Sequence, residues 1–235
     1  MNPEKPGSRA LKKEIGALLR EKPFEEAVAA ILRRPARQVI GPLFSHFYGE
    51  DIVFWRAVSA MGAVVSAMAE GGAVESARIV LRRMMWQLND ESGGIGWGCP
   101  EAMGEILARN EGLAGEFHRI LASYAIEDGN FLEHPVLQRG LLWGIGRLAH
   151  ARPALISYVA PHLVPFLSAS DPVHRGLAAR ALGPIADAAT KALIKPLADD
   201  NATLRIYMDG SLIERTVADL ARQALTWTLT SGVAR

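Results

Sequence analysis

The apolar positions of this chain recur at helical spacing, and the helices themselves recur as a repeat. Aligned on Gly62, Gly104, Gly146 and Gly183, four segments superimpose without gaps, the glycines standing 42, 42 and 37 residues apart. The copies begin at Glu50, Ser92, His134 and Asp171. Counted from there, large apolar side chains return at offset 11 as Met61, Met103, Ile145 and Leu182, and at offset 14 as Val64, Ile106, Leu148 and Ile185. On a helix these offsets share one stripe, a face that must be buried. A period of about 40 residues in a helical chain is the mark of stacked helix pairs.

The pattern predicts two kinds of helix. Outer helices are expected over about 36–48, 72–88, 112–127, 153–168 and 188–199, and inner helices over about 51–67, 98–109, 135–150, 172–187 and 215–229. Pro161 and Pro165 are expected to break the fourth outer helix into short pieces. Ahead of the array, Leu11, Ile15, Leu18 and Leu19 mark one helix over about 9–21, with Ser8 placed to cap it, and Pro23 opens a second that ends before Pro35. Residues 1–8 are predicted to be disordered and 9–235 to form a single repeat domain. The fold class is therefore all-α: a right-handed α-solenoid, or α-α superhelix, of about five helix pairs. It carries one small β-hairpin near 204–214, where Asp209-Gly210 separates two short β-prone runs. The hairpin and the glycine-rich turn 89–97 each fall between an outer helix and its own inner helix. Both are expected on one edge of the stack, about 25–30 Å apart at usual helix spacings.

Composition narrows the chemistry. With 26 Lys and Arg against 25 Asp and Glu, the net charge is +1, whereas nucleic-acid binders draw most of their affinity from a basic excess. The surplus of four basic residues in the first 37 reads as a solvated helix face. Cys99 is the only cysteine, so no internal disulfide framework and no cysteine-cluster zinc site can form. No apolar run of membrane-spanning length is apparent, and a cytoplasmic, membrane-free protein is expected. No catalytic, metal-binding or cofactor motif is present, and the six histidines show no ligand spacing. Oligomeric state leaves no trace in the sequence.

Asp171-Pro172-Val173-x-Arg175 followed by Ala181-Leu182-Gly183-x-Ile185-Ala186 resembles the HEAT repeat, in its short bacterial form the PBS-lyase HEAT-like repeat. The resemblance extends over roughly 36–230, closest at 171–186. It implies a HEAT-like superhelix whose inner helices line a concave face. The family's Asp and Arg positions hold Asp171 and Arg175, but His134 and Gln138, and Glu50 and Phe54, in the other copies. A ladder of ion pairs between repeats is therefore expected to be mostly missing. A second stretch, from Arg82 through Trp86-Gln87-Leu88-Asn89-Asp90-Glu91-Ser92-Gly93-Gly94-Ile95-Gly96-Trp97-Gly98 to Ile106, is similar to the signature of an uncharacterised prokaryotic HEAT-like family, which implies no catalytic residues.

The register singles out candidate binding residues. The stripe opposite the core carries Trp55, Trp97 and Arg139 at offset 5, and Ser59, Glu101 and Trp143 flank it at offset 9. With Asp90 and Glu91 in the loop above Trp97, these make Trp55, Trp97, Glu101, Arg139, Trp143, Asp90 and Glu91 the candidate site, with packing as the competing role for each tryptophan. Trp86 continues the apolar face of its helix and is expected in the core, as is Cys99. Glu101 and Glu105 share a helix face, but no calcium-loop spacing accompanies them. The expected function is a non-enzymatic module that binds a protein or peptide partner on its concave face. The alternatives are a HEAT-fold enzyme acting on a nucleobase, like the DNA glycosylases of this architecture, or a bilin lyase or chaperone, which the repeat's family name alone implies.

Overall fold

The computed structural model describes residues 8–48, 52–89 and 95–228. Two leading helices, α1 (Ser8–Glu21) and α2 (Phe24–Leu32), precede the pairs. The outer helices are α3 (Ala36–Phe44), α5 (Val74–Leu88) and α7 (Glu111–Ser123). The fourth outer segment is broken, as its prolines dictate, into α9 (Pro153–Ile156), α10 (Ala160–Leu163) and two single 3-10 turns. The last outer segment is α12 (Ala188–Ile194) followed by another 3-10 turn. The inner helices are α4 (Ile52–Glu70), α6 (Cys99–Arg109), α8 (Pro135–Ala151), α11 (Pro172–Leu182) and α13 (Val217–Leu225).

Local chemistry sets where these helices begin. Asp171 accepts from the Val173 N–H at 3.0 Å with Pro172 in the first turn, and His134 and Pro135 repeat the arrangement one copy earlier. Thr216 and Asp219 close a reciprocal capping box on α13, each bond 3.0 Å long. One sequence expectation about length fails: α4 has 19 residues and is apolar enough to cross a bilayer by length and composition. Most of it is buried inside the stack, which accounts for the apolarity.

The recurrent glycine is where one inner helix meets the next. A methyl group on Gly62 would lie 2.5 Å from Glu105 Cγ, on Gly104 2.2 Å from Gly144 Cα, on Gly146 3.5 Å from Ala181 Cα and on Gly183 3.0 Å from Ala224 Cα. At Gly104 and Gly144 the helices α6 and α8 cross backbone against backbone. The offset-11 and offset-14 residues Met61, Met103, Ile106, Ile145, Leu148 and Leu182 are buried beneath this seam. The same period therefore serves two purposes, apolar burial at one stripe and close helix approach at another.

The hairpin consists of β1 (Thr203–Met208) and β2 (Ser211–Thr216), antiparallel, with Thr203 opposite Thr216 and Met208 opposite Ser211. Its two turn residues, Asp209 and Gly210, have φ of 46° and 80°, the left-handed pair that a two-residue hairpin turn requires. Its placement departs from expectation. Instead of projecting at an edge, it lies across the inner helices. Trp143 Nε1 donates to the Tyr207 carbonyl at 3.1 Å, Arg56 Nε donates to the Gly210 carbonyl at 3.1 Å, and the turn rests on Phe24 of α2.

Two other expectations are corrected. Ion pairs do link the later repeats: Arg139 Nε meets Asp171 Oδ2 at 2.7 Å and Arg175 Nε meets Asp200 Oδ2 at 2.8 Å. The first of these rungs uses an arginine one position later than the repeat pattern indicates. Trp86 is not core but 67% exposed on the outer face of α5. Its helix turns Leu81 and Met84 inward and leaves Trp86 beyond the buried stripe.

Candidate functional site

Beside the hairpin, the concave face opens into a cavity of about 590 Å³. Trp55 comes from α4, Trp97 from the turn before α6, Glu101 from α6, and Arg139, Gly140 and Trp143 from α8. Val173 and Leu177 of α11 extend the wall, the hairpin adds Thr203 through Ile206 with Leu212 and Glu214, and Phe47 and Tyr48 close one end. Five of the candidate residues thus line one space, because equivalent offsets on successive inner helices face the same side. Asp90 and Glu91 lie outside the described residues. Trp97, in the turn before α6, and Leu204 of the hairpin border the same cavity, while residues 90–94 of the loop lie outside the described residues.

The aromatic residues differ in freedom. Trp143 is only 2% exposed; its indole N–H is committed to the hairpin and its ring packs on Trp55 with centroids 5.0 Å apart. Trp55 is half-buried. Trp97 is half-buried too and stands edge-on to His134, centroids 5.1 Å apart. Gly96 and Gly98, with φ of 58° and 72°, turn the chain sharply on both sides of Trp97. Cys99 is buried and donates toward Gln87 Oε1 at 3.2 Å; burial pushes its thiol far above the ordinary range, so it is inert at neutral pH.

The charged residues divide sharply. Arg139 is held by Asp171 and is not a free cation. Arg56 donates to the Leu19, Lys22 and Gly210 carbonyls, and Arg147 to Glu105 at 2.6 Å. Glu101 and Glu105 do share a face of α6, yet their surroundings are opposite. Glu105, 1% exposed, is bracketed by Arg109 at 2.7 Å and Arg147 at 2.6 Å, and these arginines hold its carboxyl below the usual range against the cost of burial. Glu101, 6% exposed, has no hydrogen-bond partner for Oε2 among the described residues, and burial pushes its pKa up to about 7. Among the described residues no group of three or more His, Cys, Asp or Glu is arranged to hold a metal ion.

Sequence reasoning did not find the hairpin's part in this site. Tyr207 covers Trp55, and Leu204, Ile206 and Leu212 form a wall of the cavity. The Asp209-Gly210 turn signals the hairpin, but nothing local says where it folds.

No family model matches the chain, and no curated protein does. Solved structures do. The chain is similar to an engineered protein from the Northeast Structural Genomics Consortium at a TM-score of 0.52 and 18% identity, over 94% of this chain and 97% of that one. It is equally similar, at a TM-score of 0.52 and 14% identity, to a designed armadillo repeat protein in complex with the peptide (KR)4, over 90% of this chain and 97% of the other. The fold is an armadillo-like helical repeat solenoid.

Proposed function

We propose that this protein is a non-enzymatic recognition module that seats a peptide segment of a protein partner on its concave face. One observation carries the reading: aromatic and polar side chains from three successive inner helices border a single cavity of about 590 Å³. Its size suits one or two side chains, and solenoids present such concave surfaces to extended partners. The designed armadillo relative that holds a peptide has this fold as well. Because the hairpin lies on the inner helices at Arg56, Trp55 and Trp143, a bound segment engages the stretch between Trp97 and Leu204 and does not run the length of the stack. Trp97, half-buried on the cavity wall, is the principal apolar anchor.

A HEAT-fold enzyme acting on a nucleobase is the second reading, favoured by Glu101, a buried acid poised near neutrality as a general acid or base would be. Against it, Arg56, Arg139, Arg147 and Arg175 of the inner helices are engaged with carbonyls or carboxylates, and Arg180 Nη1, which has no hydrogen-bond partner among the described residues, is buried, so they do not offer phosphates an exposed basic track. Fluorescence polarisation of the full chain with degenerate peptide pools and with a single-stranded oligonucleotide separates the two. Peptide binding that falls at least about tenfold in Trp97→Ala supports the module. Oligonucleotide binding with the same dependence, and none for peptides, overturns it.

A further inference from the structure

Resting on the peptide-binding reading above, we infer that the cavity is specific for a basic side chain, an arginine or lysine of the bound peptide, with Glu101 as its counter-ion. The contrast along α6 carries the argument. One turn beyond Glu101, the fold buries Glu105 and supplies it with two arginines at 2.7 and 2.6 Å. At Glu101 it buries a second carboxyl in the wall of the cavity and, among the described residues, supplies no arginine, leaving Oε2 without a hydrogen-bond partner there. A buried, uncompensated carboxyl is costly; a cation arriving with the ligand removes the cost. The neighbouring helix approaches this group closely: a methyl on Gly140 would lie 2.3 Å from Glu101 Oε1, and the carboxyl would have to shift to admit it.

The rest of the wall suits the same guest. Trp97, half-buried on the wall, offers an indole, the aromatic ring that best attracts a cation, and it can cover the methylene stem of a basic residue, while Trp55 and Trp143, packed on each other and on Tyr207, back the wall behind it. Arg139, the cation that α8 contributes to the wall, is already paired with Asp171 at 2.7 Å and not with Glu101. Arg205 and Glu214 face each other in the hairpin register at the cavity's border and balance one another.

Proton linkage gives the inference a second signature. The ionisable groups around the carboxyl are Cys99 and Glu105 on α6, Arg139 on α8, Arg205 and Glu214 on the hairpin, and His134 beside Trp97. Free Glu101 titrates at about 7 because it is buried. A cation binds its ionised form, so affinity rises from pH 6 to pH 8 and levels off above.

The test uses the full chain and four peptide pools identical except for a fixed central residue: arginine, lysine, citrulline or norleucine. Citrulline keeps the shape of arginine without its charge. The arginine and lysine pools should bind the wild-type chain at least about tenfold more tightly than the neutral pools. Glu101→Gln should bring them down to the neutral level and abolish the pH dependence. The pool comparison needs no variant, so it stands whatever Glu101→Gln does to folding. If all four pools bind equally in a Trp97-dependent way, or Glu101→Gln keeps the preference and the pH profile, the counter-ion assignment is wrong while the peptide-binding reading survives. If no pool binds, or only the oligonucleotide does, both fall together.

Discussion

Trp55 of α4 lies flat against Tyr207 of β1, ring centroids 5.5 Å apart and planes 9° from parallel. This stack and the Trp143 hydrogen bond to the Tyr207 carbonyl fasten the hairpin to the inner helices. Tyr207→Leu keeps most of the buried volume and removes the stacked ring. It should cost about 1 kcal/mol of stability by denaturant titration, and Tyr207→Ala about 3–5 kcal/mol. In both variants hydrogen exchange should rise over 203–216 before it rises in α6 or α8. Unchanged protection of the hairpin would mean that the stack is not what holds it.

Glu101 and Glu105 should respond oppositely to loss of charge. Glu105→Gln leaves Arg109 and Arg147 without their shared carboxylate and should destabilise by about 3–5 kcal/mol. Glu101→Gln removes an uncompensated charge. In the folded chain burial holds Glu101 protonated up to about pH 7, against 4.5 for an ordinary glutamate, so the unfolded chain gives up its proton first. Wild-type stability from this residue is therefore full below pH 4.5, falls as pH rises to about 7, and is level above. At pH 8 Glu101→Gln should be the more stable protein by up to about 3 kcal/mol, and at pH 5 nearly equal to wild type. Calorimetric melts at the two pH values decide it.

His150 supplies an acid-sensitive limb. Burial, reinforced by Arg180, lowers its pKa from 6.5 to about 3, while its Nε2 lies 3.1 Å from the Arg180 carbonyl. The unfolded chain takes up this proton below pH 6.5 and the folded chain refuses it until about 3, so stability from this residue falls as pH drops through that interval. His150→Gln should flatten the limb, read as a smaller change in melting temperature between pH 7 and pH 4.5. An unaltered slope would show that other groups set the acid response.

The glycines should separate into two classes. Gly104→Ala places a methyl group 2.2 Å from Gly144 Cα, and neither backbone can yield without parting α6 from α8. A loss of about 3 kcal/mol or more is expected, at the top of the overpacking range. Gly115→Ala, on the exposed face of α7 with nothing within 4 Å, should stabilise by about 0.5–1 kcal/mol through helix propensity. Urea unfolding of the two variants checks both signs at once.

What could be read from the sequence follows the range of the interactions involved. Gly62, Gly104, Gly146 and Gly183 all face the next inner helix, though only Gly104 meets backbone at a clashing distance, so register, helix pairing and the direction of the offset-5 and offset-9 residues were legible. The Asp209-Gly210 turn was legible because a two-residue hairpin needs those φ values locally. Trp86 misled because an apolar stripe of a helix ends gradually, and sequence does not mark its edge. The pairing of Arg139 with Asp171 and the solitude of Glu101 depend on groups brought together from distant repeats, which no local pattern encodes. The same is true of the hairpin's course over the concave face.

The Arg56 hydrogen bond to Gly210 spans 154 residues of chain. In an open array each unit touches only its neighbours, so either end can fray and the remainder persists. Here the final unit reaches back to the beginning, and the coil is shut like a buckled strap. Such a molecule has a large loop to close before its last contacts form, which slows folding. Once closed, it resists both stretching and stepwise loss from its ends. It should melt in one transition, and a chain cut before Thr203 should lose that unity and relax as a spring does when its catch is removed.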